Sequence, residues 1–136
     1  MSRAKNTALG AATASGYSTR TLNMTIPPIA NVPRVVLRFI DAMNRSDALE
    51  AIDCFTADAS VDEQFGHHAG RAEIQQWILG VFREYQPTLL PLRPIVSGAD
   101  ASLAVSLSGR FPGSPVQLDF HFTLSGRKIA RLTIDG

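Results

Sequence analysis

The stretch Arg38–Trp77, RFIDAMNRSDALEAIDCFTADASVDEQFGHHAGRAEIQQW, decides the fold. It reads as two short amphipathic helices, a strand carrying the carboxylates Asp62 and Glu63, and a third helix that starts at Gly70. That order opens a small cone-shaped fold with a pocket inside.

Just upstream, Val32, Val35, Val36, Phe39, Ile40 and Met43 recur at three- and four-residue spacing, which is one apolar face of a helix. Pro33 suits its first turn, where a missing N–H costs nothing. Asn44, Arg45 and Ser46 interrupt the pattern. Ser46 or Asp47 can cap a second helix, whose buried face is expected to be Leu49, Ile52 and Phe55. Thr56–Asp58 then read as a turn, and the strand that follows alternates Val61, Glu63 and Phe65 against Asp62 and Gln64. Glu63 therefore shares a face with two apolar residues. Gly66, His67, His68 and Ala69 are expected to form a loop leading to the third helix, marked by Ile74, Trp77, Ile78, Val81 and Phe82 and ended by Pro87.

From Thr88 the period changes to two, with turn signals at Ser97-Gly98-Ala99-Asp100, Phe111-Pro112-Gly113-Ser114-Pro115 and Ser125-Gly126-Arg127. Leu103, Val105 and Leu107 alternate with Ser102, Ala104 and Ser106. Leu118, Phe120, Phe122 and Leu124 alternate with Gln117, Asp119, His121 and Thr123, and a last strand holds Leu132 and Ile134. Helices followed by an antiparallel meander with one apolar face predict an α+β fold, its helices packed on that face of a curved sheet.

A length of 136 residues fits one domain, and 45% hydrophobic with 18% charged residues is ordinary globular composition. A net charge of +1 and the lack of a basic stripe with interleaved aromatics argue against nucleic acid. No apolar run approaches the roughly 18 residues of a membrane span. The single Cys54 excludes an internal disulfide and reads as a buried thiol, so a soluble, cytoplasmic protein is expected. Residues 1–32 are set apart by Ala, Ser, Thr and Asn, by Arg3, Lys5 and Arg20, and by having no acid. Without those three charges the remainder stands at −2. This segment weakly resembles an organelle transit peptide; the expectation is a disordered or extended arm, or an extension ahead of a start at Met24, with the domain at 33–136.

FIDAMNRSD (Phe39–Asp47), CFTADASVD (Cys54–Asp62), GRAEI (Gly70–Ile74) and GRKIARLTI (Gly126–Ile134) together resemble the nuclear transport factor 2-like superfamily, in particular its SnoaL-like and ketosteroid isomerase-like members. The resemblance covers roughly residues 33–135. It implies a cystatin-like α+β barrel, a curved, mixed but mainly antiparallel sheet wrapped around three helices, and a homodimer formed through the outer sheet face. Function does not follow from fold, since the superfamily holds isomerases, dehydratases and cyclases beside non-catalytic modules.

By the same resemblance, Glu63 stands where ketosteroid isomerases carry their general-base aspartate. Phe39 and Phe120 stand where they carry their two oxyanion donors. One such donor is worth about 3 to 4 kcal/mol of transition-state stabilisation, and phenylalanine cannot donate, so steroid isomerisation by that mechanism is not expected. The aspartate of SnoaL-type cyclases has its nearest counterpart in Asp135, although Leu132 and Ile134 alternate away from it.

Glu63, partly desolvated by Val61 and Phe65, is the candidate acid/base, against the alternative of a rim residue paired with Arg71 or Arg83. Of the two histidines that follow, one ring can reach the pocket mouth and share a proton with it; His67 is the candidate. Asp62 points the other way and reads as a surface or ion-pair residue, Asp58 as the close of a turn, and His121 as an outer-face residue beside Asp119. Trp77 either floors the pocket or packs in the core. The expected pocket lining is Phe39, Val61, Phe65, Trp77, Leu118 and Phe120, with Phe122, Leu132 and Ile134 beyond them. No residues have metal-ligand spacing and no Gly-rich phosphate loop is present, so neither metal nor cofactor is expected. Two functions fit: cofactor-independent acid/base chemistry on a small apolar ring compound through Glu63, or a non-catalytic binding and dimerisation module.

Overall fold

A computed structural model describes residues 32–136, and the predicted arm, with Met24, lies outside this range except for Val32, which is buried. Three helices, α1 (Arg34–Asn44), α2 (Ala48–Asp53) and α3 (Gly70–Tyr85), accompany six strands. These are β1 (Phe55–Glu63), β2 (Gly66–Ala69), β3 (Thr88–Ser97), β4 (Asp100–Ser108), β5 (Val116–Ser125) and β6 (Lys128–Asp135). The strands form one open, curved sheet in the order β2-β1-β6-β5-β4-β3. β1 and β6 run parallel and every other pair is antiparallel, so the sheet is mixed, as the α+β expectation holds.

The apolar spacing of α1 buries Val35, Val36, Phe39, Ile40 and Met43. Pro33 sits one residue before the helix, where its carbonyl accepts from the N–H groups of Val36 and Leu37. Asp47, not Ser46, caps α2, its side chain accepting from the Glu50 N–H at 3.1 Å. The buried face of α2 differs from expectation: Leu49 is 73% exposed and Ala51 is fully buried. At less than two turns, α2 presents only one small residue to the core, and the chain turns into β1 at Phe55.

Thr56–Asp58 are not a turn but part of β1, at the place where its register against β6 slips between Phe55 and Ser60. The slip consumes the residues that the sequence pattern assigns to a bend. Likewise Gly66–Ala69 form a strand, β2, paired back onto β1. α3 begins at Gly70, which holds a φ of 83° that only glycine adopts freely, and ends at Gln86 in a left-handed cap, just before Pro87.

The core centres on three rings. Phe39 meets Phe55 edge-on with centroids 5.5 Å apart and Phe122 at 6.0 Å, and all three are buried. Each such ring contributes on the order of 1.5–3 kcal/mol by leaving water. Around them, Arg38 ties α1 to α2 through Glu50 at 2.9 Å and Asp53 at 3.2 Å, and Lys128 of β6 joins Asp53 at 3.4 Å. At the far end of α1 the Asn44 amide pairs with the backbone of Leu89, donating to its carbonyl at 2.9 Å and accepting from its N–H at 2.7 Å. That clamp seats the edge strand β3. No helix among the described residues is long and apolar enough to cross a membrane.

Candidate active site

Alternation along β1 puts Val61 and Glu63 on the inner face and Asp62 on the outer one. The chain reverses through Gln64 and Phe65, and β2 returns with His68 opposite Val61 and His67 opposite Asp62. Residues directly opposite share a face, so the two histidines separate. His68 goes inward and its Nε2 lies 2.9 Å from Glu63 Oε2. His67 goes outward and pairs with Asp62, which also meets Arg131 at 3.3 Å.

This corrects the expected pairing, because His68 and not His67 stands beside Glu63. With 66–69 read as a loop, the two rings had no fixed faces; as a strand, each has one. Asp62 is the outward ion-pair residue that alternation predicts. The hydrogen bond from His67, aided by the Arg131 guanidinium, holds its carboxyl below the usual range.

Glu63 is fixed at both oxygens. Oε1 accepts from the Phe65 N–H at 3.1 Å and Oε2 faces His68. The side chain is 14% exposed, and that of His68 is 24% exposed. Behind the imidazole lies the half-buried Trp77, stacked on it at 5.7 Å with 28° between planes. A carboxylate placed in this way can hold or release a proton with the imidazole as its neighbour. Neither Arg71 nor Arg83 pairs with it; the Arg71 guanidinium donates instead to the Phe55 carbonyl at 2.6 Å.

Glu63 lies on the wall of a cavity of about 1220 Å³. α1 contributes Phe39 and Met43, and α3 contributes Trp77, Gly80, Val81 and Tyr85. Leu118, Phe120 and Ile134 form the sheet side, and Phe111 from the β4–β5 loop packs edge-on against Tyr85 at 5.8 Å. Six of the nine expected lining residues are there. The other three, Val61, Phe122 and Leu132, are at most 1% exposed and belong to the packed core, where α1 and α3 close on the sheet below the cavity. Phe65 does line the cavity but is 80% exposed, because it sits in the β1–β2 turn and not on the strand face. Phe39 and Phe120 present hydrocarbon to the cavity.

Asp135 turns outward, to His121 at 3.4 Å, and His121, on the outer face where alternation places it, in turn contacts Ser102 at 2.9 Å. Cys54 is buried, and burial pushes its thiol up to about 11. A thiol held protonated in this way is not a nucleophile. Among the described residues no three His, Cys, Asp or Glu side chains gather closely enough to hold a metal ion. Tyr85, a possible polar contact whose direction the sequence leaves open, lines the wall, and so does Glu84, which had no signal in the sequence beyond helical spacing from Trp77.

The family description "SnoaL-like domain" matches residues 36–132. A candidate polyketide cyclase from Sinorhizobium meliloti is 33% identical, with 78% of this chain and 97% of that one covered and a TM-score of 0.76. A hypothetical protein of ketosteroid isomerase-like fold from Catenulispora acidiphila, solved with trimethylamine, is 14% identical over 77% of this chain and 86% of its own, with a TM-score of 0.69. An uncharacterised cystatin-fold protein from Novosphingobium aromaticivorans is 13% identical over 82% and 100%, with a TM-score of 0.65. These last two share the fold. None of the curated proteins matches.

Proposed function

Because the chain belongs to the family of SnoaL-like domains, we propose that its cavity binds a small, mostly apolar ring compound on which Glu63 moves a proton without a cofactor. The observation that carries this reading is the Glu63 carboxylate on the cavity wall with the His68 imidazole hydrogen-bonded behind it. In the first step the carboxylate takes a proton from a carbon beside a carbonyl. The C–H bond breaks, an O–H bond forms on Glu63, and the electron pair passes to the carbonyl oxygen as an enolate. Return of the proton to another carbon gives isomerisation; attack of the enolate carbon on a second carbonyl of the same molecule gives ring closure, the new C–C bond leaving an alkoxide that takes the proton back from Glu63. Protonation of a leaving hydroxyl gives dehydration. The 33% identical relative supports ring closure among these.

His68 orients the carboxylate and can share its proton. Ketosteroid isomerisation is not proposed, since Phe39 and Phe120 offer no donor to a dienolate oxygen.

A thermal-shift screen of ring compounds against wild type and Glu63→Gln tests the reading. Retained ligand stabilisation with lost turnover supports it. Absence of any ligand response favours a binding or dimerisation module.

Two copies are proposed to pair through the outer sheet face. There Leu90 and Ile95, 59% and 71% exposed, lie opposite Ser106 and Ser102 and flank Ala104. Ile95→Lys is expected to give a monomer in sedimentation. The cytoplasm is the proposed location, where a lone thiol stays reduced.

A further inference from the structure

The His68 imidazole meets Glu63 through Nε2, and the orientation of a working histidine ring is ordinarily set by a carbonyl or carboxylate on its other nitrogen. Among the described residues His68 has no such partner: the contact with Glu63 is the one side-chain hydrogen bond that it makes. The backbone adds little restraint. β2 is four residues long and lies at the edge of the sheet, and the torsion that turns an imidazole about its Cβ–Cγ bond is broad and roughly two-fold. A half-turn about that bond would put Cε1 where Nε2 stands and leave Glu63 facing carbon.

What lies against the ring is Trp77, stacked at 5.7 Å with 28° between the planes. The indole is seated without help from the imidazole. Ile74 and Ile78, three residues before it and one after, are fully buried. In the first turn of α3 the Arg71 guanidinium donates to the Phe55 carbonyl of β1 at 2.6 Å, and Glu73 accepts from the Ala69 N–H at the end of β2 at 2.9 Å. α3 is thereby tied to both strands of the hairpin that carries Glu63 and His68. Trp77 also lines the cavity, so one side chain touches the acid/base pair and the space beside it.

We infer that Trp77 is the positioning residue of this pair: its indole holds the His68 ring in the half-turn that presents Nε2 to Glu63. The role in chemistry rests on the preceding reading of Glu63 as the acid/base, whereas the orientation of the ring stands on the stack itself. A flat aromatic face selects the plane of its neighbour without forming a bond to it, and so leaves both imidazole nitrogens free to exchange protons. With Glu63 ionised, Nε2 carries the hydrogen of the contact and Nδ1 the lone pair. An aliphatic side chain at position 77 would fill space but would not choose between the two half-turns.

Long-range proton–nitrogen correlation spectra of the histidine rings test this, in mildly alkaline buffer where an ordinary histidine is neutral. His68→Gln identifies the His68 signals among the three histidines. Wild type is expected to show His68 as a single Nε2–H tautomer, and Trp77→Phe to keep it. Trp77→Leu and Trp77→Met are each expected to give the averaged shifts of a ring that exchanges between tautomers, with the His67 and His121 signals unmoved. Trp77 is only half-buried, and either of these two variants suffices if the other does not fold. Averaged shifts in wild type, a fixed tautomer in a folded Leu or Met variant, or loss of the fixed tautomer in Trp77→Phe overturns the assignment. Deuterium exchange at the carbons beside the carbonyl of 2-tetralone then reads the chemistry: kcat is expected to fall about tenfold or more in Trp77→Leu and to stay within about threefold of wild type in Trp77→Phe. Exchange unaffected by Trp77→Leu overturns the positioning role. No exchange in wild type, beside His68 signals that behave as expected, overturns the proton-transfer reading and leaves the orientation of the ring by Trp77 standing.

Discussion

Glu63 and His68, five residues apart in the chain, meet across a two-residue hairpin with 2.9 Å between Oε2 and Nε2, and the imidazole that completes the contact is stacked on the chain's one tryptophan. The hairpin makes the meeting obligatory. With Val61 opposite His68, the inward positions of both strands are Glu63 and His68, and no rotamer of His67 reaches that face.

The stacking gives the site its own optical reporter. An imidazole stacked on an indole quenches its emission, so Trp77 should emit more strongly in His68→Gln while the folded-state circular dichroism is kept. Unchanged emission would mean that another group controls Trp77.

Gly80 keeps the helical wall of the cavity thin. A Cβ at this position would meet only the Arg83 Nη2, at 3.7 Å, so nothing in the packing requires glycine. Gly80→Ala should stabilise the fold by about 0.5–1 kcal/mol, because glycine inside a helix costs that much relative to alanine. Gly80→Phe should fold but lose the thermal shift given by ring compounds. A variant that still binds them would place the ligand elsewhere.

The Asn44 clamp on Leu89 supplies two hydrogen bonds to a strand that, among the described residues, has a neighbour on one side only. Asn44→Ala should cost on the order of 1–3 kcal/mol in urea unfolding. Asn44→Asp should be no better, since a carboxylate cannot donate to the Leu89 carbonyl. Hydrogen exchange should show the loss first at Leu89. Uniform acceleration across the sheet would argue against a local clamp.

Acid should destabilise the fold through three carboxyls held below their usual range. Asp62 is lowered by the hydrogen bond from His67 and by Arg131, Asp53 by Arg38 and Lys128, and Asp47 by the Glu50 N–H that it caps and by Arg45. A group whose value is depressed on folding contributes stability that is full above the unfolded value, about 3.9 for aspartate, and is lost as the pH falls through the folded one. The urea midpoint should therefore hold from pH 7 to about 5 and decline below about 4. Asp62→Asn should flatten that decline; an unchanged acid limb would remove Asp62 from the account.

The sequence disclosed the fold because its signals are periodic. The three-to-four spacing of Val35, Val36, Phe39, Ile40 and Met43 and the strict alternation from Leu118 to Leu124 each report one face, and a family resemblance ordered them. Signals shorter than one period were misread. Gly66–Ala69, four residues without an apolar alternation, pair only because β1 offers an open edge, and the choice between His67 and His68 depends wholly on that pairing. Leu49 looked like a core residue because leucine usually is, yet a six-residue helix buries only the position nearest its neighbours, here Ala51. Val61, Phe122 and Leu132 share the inner face with the cavity residues. Alternation identifies the face, but only the depth of helix packing separates wall from core.

The parallel contact between β1 and β6 sets the order in which this molecule can assemble. The strand that carries Glu63 ends at residue 63, and among the described residues its neighbour besides the short β2 spans Lys128–Asp135. β3, β4 and β5 can zip from turn to turn as each is made. β1 must wait some seventy residues for its partner, and closing so long a loop is slow and entropically costly. The cavity wall that bears the proposed acid is therefore the last part of the sheet to be fixed during synthesis, and a nascent chain carries the surrounding helices before it carries a site.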